Sequence, residues 1–365
     1  MKVIISGGGT GGHIYPAVAI IEELKRRDPN TEILYIGTEN SMEQKIASNL
    51  GLDFKAIRVK GLPRRLNKNS FIALRELLIG LGQAKKLIKS FNPDLVIGTG
   101  GFVSGPVLFR AATGGYRTLI HEQNSLPGIT NRILSRFVDV VAVTYESSRK
   151  YFNKPDRVKL TGNPIRASFK NIKKSESSFE KYKLNKEVPV VFSFGGSNGS
   201  EDLNKAVLQM IIKYSNQIDF QILHATGESH YDNFMNEAGS YIREGISIHP
   251  FLHDISSAYD VSDLIITSSG AITLSEISLL GLASILIPKA YTTENHQEYN
   301  ARLYEEIGAS EMILEDELNE DILYNKIEEI LRDDKALTIM GENAKKLGNP
   351  NATSDIVDIA YSLIK

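Results

Sequence analysis

Hydrophobic positions along this chain alternate between two rhythms. Short continuous apolar runs are followed, after a small or polar turn, by longer stretches whose apolar positions return every three or four residues. The short runs have the length of strands buried on both faces, and the longer stretches have the period of helices. In the first half this pattern predicts strands at 3–6, 33–37, 54–58, 95–98, 118–121, 140–143 and 158–161. Residues 163–189 then turn polar, with Lys170, Lys173, Lys174, Ser175 and Ser177, and read as an interdomain linker or surface excursion. The alternation restarts with strands expected at 190–194, 221–224, 246–249, 264–267, 284–287 and 311–314. A last helix is expected around Ile356, Val357, Ala360 and Leu363, after a Thr353/Ser354 cap. The fold class is therefore α/β: two doubly wound parallel-sheet domains, whose ligands bind outside the carboxyl ends of the strands.

Six loops at those strand ends interrupt the apolar pattern. The first, Gly7-Gly8-Gly9-Thr10-Gly11-Gly12-His13, lies between a buried run and a helix expected to open near Pro16. Strand, glycine loop and helix start together let a backbone approach a phosphate or a sugar. The glycine spacing alone also suits a dinucleotide fold. His13 adds a titratable group at the loop mouth, either a general base or a polar cap. The second loop, Gly98-Thr99-Gly100-Gly101, leads to a helix expected near Pro106. The third places His121, Glu122, Gln123 and Asn124 directly after an apolar run, as reacting groups or as a helix cap.

In the second half, Gly195-Gly196-Ser197-Asn198-Gly199 forms another anion-binding turn, with Ser197 as a side-chain donor. The loop 267–276 offers backbone N–H groups and the hydroxyls of Ser269 and Thr273 to a diphosphate. Glu276 then either accepts from both ribose hydroxyls or simply favours a helix N-terminus. Beyond Pro288, residues 293–301 carry amides and carboxylates suited to sugar hydroxyls.

Composition narrows the classes. At 365 residues the chain has room for about two domains. It has no cysteine, which excludes disulfides and thiolate metal sites, and its seven histidines show no metal-ligand spacing. A strand begins at once, so no signal peptide is expected, and no apolar stretch is long enough to span a bilayer. The net charge of −2 hides an asymmetry: residues 1–164 hold 24 basic against 13 acidic side chains, and the remainder 18 against 31. A basic half points to an anionic partner. Much of that charge lies between Lys55 and Lys89, where Glu76 is the one acidic residue. The helical period there predicts that Phe71, Leu74, Leu78, Leu81 and Ile88 pack on the sheet. Ile72 and Ile79, with Arg75 and Lys86, are expected to face an anionic membrane.

As a set, GGGTGGHIYPA at 7–17, GTGGFVSGP at 98–106, HEQN at 121–124, TGNPIR at 161–166, GGSNG at 195–199, SSGAITLSE at 268–276 and NHQEYNA at 295–301 resemble the MurG family. These are UDP-N-acetylglucosamine transferases acting on undecaprenyl-diphospho-muramyl-pentapeptide in peptidoglycan synthesis. The resemblance runs in order from residue 1 to about 305. It implies a GT-B fold, two Rossmann-like domains facing across a cleft. The acceptor domain would be 1–164, joined by residues 346–365, and the UDP-GlcNAc domain 165–345. It implies inverting transfer with no metal or other cofactor. It further implies a peripheral place on the cytoplasmic face of the plasma membrane, beside other cell-wall and division proteins.

Carried over by motif, Thr10, Gly11 and Gly12 would line the cleft and Asn124 would contact the GlcNAc. Arg166 and Ser197 would lie at the diphosphate, and Leu252 would hold the uracil through its backbone. Ala271, Ile272, Thr273, Leu274, Ser275 and Glu276 would bind diphosphate and ribose, and Gln297 the sugar hydroxyls. Leu252 stands where the family often has isoleucine, and His296 where some relatives have a second glutamine. His13 and Glu122 are the candidate bases for the attacking hydroxyl. The competing readings are a GT-B transferase acting on diacylglycerol, an NAD-linked oxidoreductase and a non-catalytic nucleotide-sugar sensor. The oxidoreductase predicts an acidic residue closing the second strand, where Gly37-Thr38 stands instead.

Overall fold

The structure, a computed structural model, describes the chain except residues 62–67, 166–168, 170–173, 197–198, 334 and 365, with the backbone alone at 68–70 and 293. The chain divides into two compact units, Met1–Arg166 with Asn349–Lys365, and Ala167–Gly348.

Unit 1 holds seven strands: β1 (Lys2–Gly7), β2 (Glu32–Gly37), β3 (Asp53–Ala56), β4 (Leu95–Gly100), β5 (Arg117–Glu122), β6 (Val140–Val143) and β7 (Val158–Leu160). They form one sheet in the order β3-β2-β1-β4-β5-β6-β7, and every pairing is parallel. Alternate residues feed two cores. Ile4, Ile36, Val96 and Ile120 pack with Ala84, Ile88, Val107 and Leu108. Val3, Ile5, Tyr35 and Ile97 pack with Ala17, Ile20 and Leu24, and with Ile356, Val357 and Ala360 of the C-terminal helix Ala352–Ile364. Arg27 ties that helix down through Asp358 and Ser354.

Unit 2 repeats the plan with β8 (Val190–Phe194), β9 (Gln221–Ala225), β10 (Ile246–His249), β11 (Leu264–Thr267), β12 (Ala283–Leu286) and β13 (Ser310–Met312), ordered β10-β9-β8-β11-β12-β13. In each sheet the order reverses beside the first strand, so β1/β4 and β8/β11 are topological switch points. The loops following those strands stand where such folds bind ligands.

All thirteen expected strands are present, with end shifts of one or two residues. The helix starts differ. The first helix begins at Gly11, because extended Thr10 caps it and its carbonyl accepts from the N–H groups of His13 and Ile14. Pro16 is therefore inside the helix, where it forgoes one backbone bond. The second begins at Ser104, whose Oγ donates to the Gly101 carbonyl at 2.9 Å, and not at Pro106. The expected linker is also partly ordered into unit 2. Ser175 bonds Asp260, Lys174 pairs with Asp263, and the helix Glu176–Tyr182 buries Phe179 and Tyr182.

The largest correction concerns the helix Lys68–Phe91. Of the stripe expected to pack on the sheet, only Ile88 is buried, whereas Phe71 is 80% exposed, Leu78 63% and Leu74 50%. The buried face is instead Ala73, Glu76, Gly80, Ala84 and Ile88. A Cβ on Gly80 would lie 2.4 Å from the Arg58 carbonyl oxygen, so the helix docks through its smallest residues. Glu76 is admitted to this face by a bidentate pair with Arg58, at 2.8 Å for each bond.

Candidate active site

The first two glycine loops of unit 1 interlock. Pairing between β1 and β4 slips after Ser6↔Gly98 to Gly7↔Gly100, leaving Thr99 as an extra residue in a bulge. The bulge aims the buried Thr99 hydroxyl at the His13 carbonyl, to which it donates at 2.7 Å. The Gly8 N–H donates to the Gly100 carbonyl at 3.3 Å. Gly101 has φ +82°, and a Cβ there would lie 2.1 Å from the Gly8 oxygen, so only glycine fits.

This frame holds His13. Its Nδ1 lies 3.1 Å from the Gly8 carbonyl oxygen and 3.3 Å from Thr10 Oγ1. A carbonyl only accepts, so Nδ1 carries the proton and the basic lone pair is on Nε2. Gly11 and Gly12 form the first turn of the helix behind the ring.

The His-Glu-Gln-Asn run is a support for this frame. His121 is fully buried, donating from Nε2 to the Gly162 carbonyl at 3.0 Å and accepting at Nδ1 from Gln123 Nε2 at 3.0 Å. Burial depresses its pKa to about 4, so the ring is neutral. Gln123 also donates to the Thr99 carbonyl at 2.7 Å, which connects the run to the bulge. Glu122, a candidate base, is 2% exposed and its carboxylate accepts four hydrogen bonds. Oε1 receives Asn124 N at 3.0 Å and Asn124 Nδ2 at 3.2 Å; Oε2 receives Gly128 N at 3.1 Å and Asn131 Nδ2 at 2.8 Å. Those bonds occupy its lone pairs and tie the carboxylate to its own loop. Asn124 is positioned by that same carboxylate.

In unit 2 the loops after β8, β11 and β12 converge. The helix Ala271–Leu280 opens at the extended Gly270. Within it Ala271, Leu274, Ser275 and Glu276 are buried, and Ile272 and Thr273 half-buried. Tyr259 OH donates to Glu276 Oε2 at 3.0 Å, a contact between distant segments that the sequence does not signal. Ser269 is fully buried and donates to the Gln297 carbonyl at 2.7 Å, so its hydrogen is not offered to a diphosphate, contrary to expectation. The Gln297 side chain accepts the Lys289 N–H on Oε1 at 2.9 Å, which leaves its Nε2 as the end with donors. His296 faces Glu294 at 3.6 Å. Leu252 is half-buried in the segment between β10 and the helix Ile255–Val261. Below the β8 loop, buried His224 joins Ser193 and Asn204: its Nδ1 lies 2.7 Å from Ser193 Oγ and 3.1 Å from the Ser193 carbonyl, and its Nε2 3.1 Å from Asn204 Oδ1. Its pKa is also pushed down to about 4 by burial. Arg166 and Ser197 lie outside the described residues.

Sequence reasoning did not single out Thr99, Gln123, Tyr259 or Lys289 individually. The first two lie within loops that it did mark, and Lys289 follows an expected strand end.

Residues 3–143 match the glycosyltransferase family 28 N-terminal domain and residues 190–356 its C-terminal domain. The chain is 56% identical to a Finegoldia magna protein named UDP-N-acetylglucosamine--N-acetylmuramyl-(pentapeptide) pyrophosphoryl-undecaprenol N-acetylglucosamine transferase, covering 100% of this chain and 99% of that one. A protein of the same name from Acetivibrio thermocellus is 46% identical, with the same coverage. The crystal structure of Acinetobacter baumannii MurG superposes with a TM-score of 0.79 at 26% identity, covering 98% of each chain. The resemblance read from the motifs is thus borne out, and the two sheets are those of a GT-B glycosyltransferase. The chain belongs to glycosyltransferase family 28 and, within it, to the MurG family.

Proposed function

We propose that this chain transfers N-acetylglucosamine from UDP-N-acetylglucosamine to the 4-hydroxyl of the muramyl sugar in undecaprenyl-diphospho-muramyl-pentapeptide, with inversion and release of UDP. The observation that carries this reading is the full-length 56% identity to a relative named for that reaction. Unit 1 takes the acceptor and unit 2 the donor. A sugar hydroxyl is a poor nucleophile at neutral pH, and a positioned base contributes about 10²–10⁴-fold. His13 Nε2 is that base, because the Gly8 carbonyl fixes the proton on Nδ1. Thr10, Gly11, Gly12 and Asn124 bind around the reacting sugars. Leu252 meets the uracil through its backbone, Glu276 the ribose, and Gln297 Nε2 the sugar hydroxyls. Charge developing on UDP is met by Arg166, by Ser197 and by the N-terminal turn from Ala271 to Ser275, whose N–H groups and dipole favour an anion. The deciding experiment is transfer of labelled GlcNAc from UDP-GlcNAc to the lipid-linked muramyl-pentapeptide, with diacylglycerol as rival acceptor. Transfer to diacylglycerol alone, or UDP-GlcNAc binding without turnover, overturns the reading.

A lipid-linked acceptor also requires approach to a membrane, here as a peripheral protein on the cytoplasmic face. Among the described residues no helix is long and apolar enough to cross one. What supports the surface approach is the exposed face of the helix Lys68–Phe91. Phe71, Leu74 and Leu78 lead into exposed Lys85, Lys86 and Lys89 at helical spacing, with exposed Ile72 and Arg75 alongside. An apolar tip and a basic tail on one face suit an anionic bilayer.

A further inference from the structure

Lys289 follows β12, and its side chain reaches the loop that follows β8. Its Nζ donates to the Gly199 carbonyl at 2.8 Å, and its own N–H is fixed on Gln297 Oε1 at 2.9 Å. In the sheet β11 lies between β8 and β12. The stem therefore crosses the carboxyl edge above β11, whose following loop opens the helix at Ala271. The ammonium stands over the switch point of unit 2.

Its surroundings do not neutralise it. Among the described residues Lys289 forms no ion pair, and Glu315, the acidic neighbour, spends Oε2 on the Ala290 N–H at 3.0 Å. Burial holds its pKa below the usual lysine range, with Glu315 opposing. An ammonium has three donors, and the Gly199 carbonyl takes one. A half-buried cation without a counter-ion is costly to maintain unless a ligand supplies the charge.

We propose that Lys289 is a diphosphate-binding residue of the donor site, contributing a point charge to the nucleoside diphosphate from the end of β12. This deepens the proposed function and rests on it. Gly199 and Gln297 serve as the clamp: one orients the ammonium, the other pins the backbone beneath it. The side chain thus reports whether a diphosphate, and not merely a nucleoside, occupies the site.

Calorimetric titration of the full chain with UDP and with uridine tests this, on the wild type, Lys289→Met and Lys289→Arg, each checked by its thermal midpoint. Loss of charge-assisted hydrogen bonds predicts that Lys289→Met weakens UDP about tenfold to a hundredfold and leaves uridine unchanged. Lys289→Arg retains most of the UDP preference. Unchanged UDP affinity in Lys289→Met, or equal weakening of UDP and uridine, overturns the assignment and leaves Lys289 as a tie for the Gly199 loop. Should Lys289→Met fail to fold, an Arg variant with UDP and uridine equally weakened overturns it as well. A wild-type chain that binds no UDP overturns the proposed function together with it, so the two failures are distinguishable.

Discussion

Gly100 faces the ring of His13 so closely that a Cβ on it would lie 2.5 Å from Cδ2 and 3.0 Å from Nε2. Gly100 also has φ +106°. Gly100→Ala therefore strains the backbone and pushes the imidazole from its place. Turnover should fall at least about tenfold, since misplacement near 1 Å costs up to about 10²-fold. Gly115→Ala is the control, with φ +81° and no atom within 4 Å of the added carbon. It should lower the thermal midpoint while leaving turnover near wild type. Equal turnover in both variants would separate the Gly100 contact from function.

In the proposed reading His13 is the base and Glu122 holds its loop. His13→Ala and His13→Asn should each lower turnover by about 10²-fold or more, with UDP-GlcNAc affinity nearly intact. Glu122→Gln replaces one accepting oxygen with a donor facing N–H groups, so it should cost about 1–3 kcal/mol of stability. The acidic limb of its pH–rate profile should persist. A profile that loses that limb in Glu122→Gln but keeps it in His13→Asn would reverse the assignment.

Glu276 is buried and held by Tyr259 at 3.0 Å. If it binds the ribose, Glu276→Ala should weaken UDP and uridine alike by about 1.5–3 kcal/mol. Tyr259→Phe, which removes that hydrogen bond, should weaken both by a smaller amount. Calorimetry with the two ligands checks this, and unchanged affinities would leave Glu276 with a packing role alone.

The exposed helix face predicts vesicle binding that is sensitive to both of its halves. Phe71→Ser/Leu74→Ser/Leu78→Ser should reduce sedimentation with anionic vesicles at every salt concentration. Lys85→Glu/Lys86→Glu/Lys89→Glu should reduce it most at low salt, because each basic residue near the surface contributes about 1 kcal/mol. Binding unaltered in both triple variants would remove this face from membrane association.

His121 and His224 make folding stability depend on pH. The unfolded chain protonates these rings below about pH 6.5. The folded chain resists until about 4. Their contribution is thus complete above about pH 6.5 and is lost as pH falls toward 4, by about 1.4 kcal/mol per pH unit for each ring. Denaturant unfolding between pH 7 and 4.5 should show this loss, and His121→Gln should flatten the dependence of unit 1. An unchanged slope in that variant would reject the assignment.

The thirteen strands, the parallel sheets and the loops at their carboxyl ends are legible in the apolar pattern alone. Runs such as Val3-Ile4-Ile5 and Leu264-Ile265-Ile266 are too short for helices and too apolar to face water, and glycine clusters mark where the chain turns. The family was legible in the same loops. What residues of one type do depends on the packing around them. Helix Lys68–Phe91 carries two apolar faces, and hydrophobicity favours the larger one. The inward face is that of Ala73, Gly80 and Ala84, because backbone-to-backbone approach requires small residues, which a count of apolar positions undervalues. His13 and Glu122 look alike in sequence as polar residues in ligand loops. Only the hydrogen bonds show one ring set by the Gly8 carbonyl, with Thr99 holding its backbone from β4, and one carboxylate consumed by Asn124, Gly128 and Asn131. Local periodicity fixes which segments are strands and helices; which groups remain available for chemistry depends on how each loop folds and hydrogen-bonds, which periodicity does not encode.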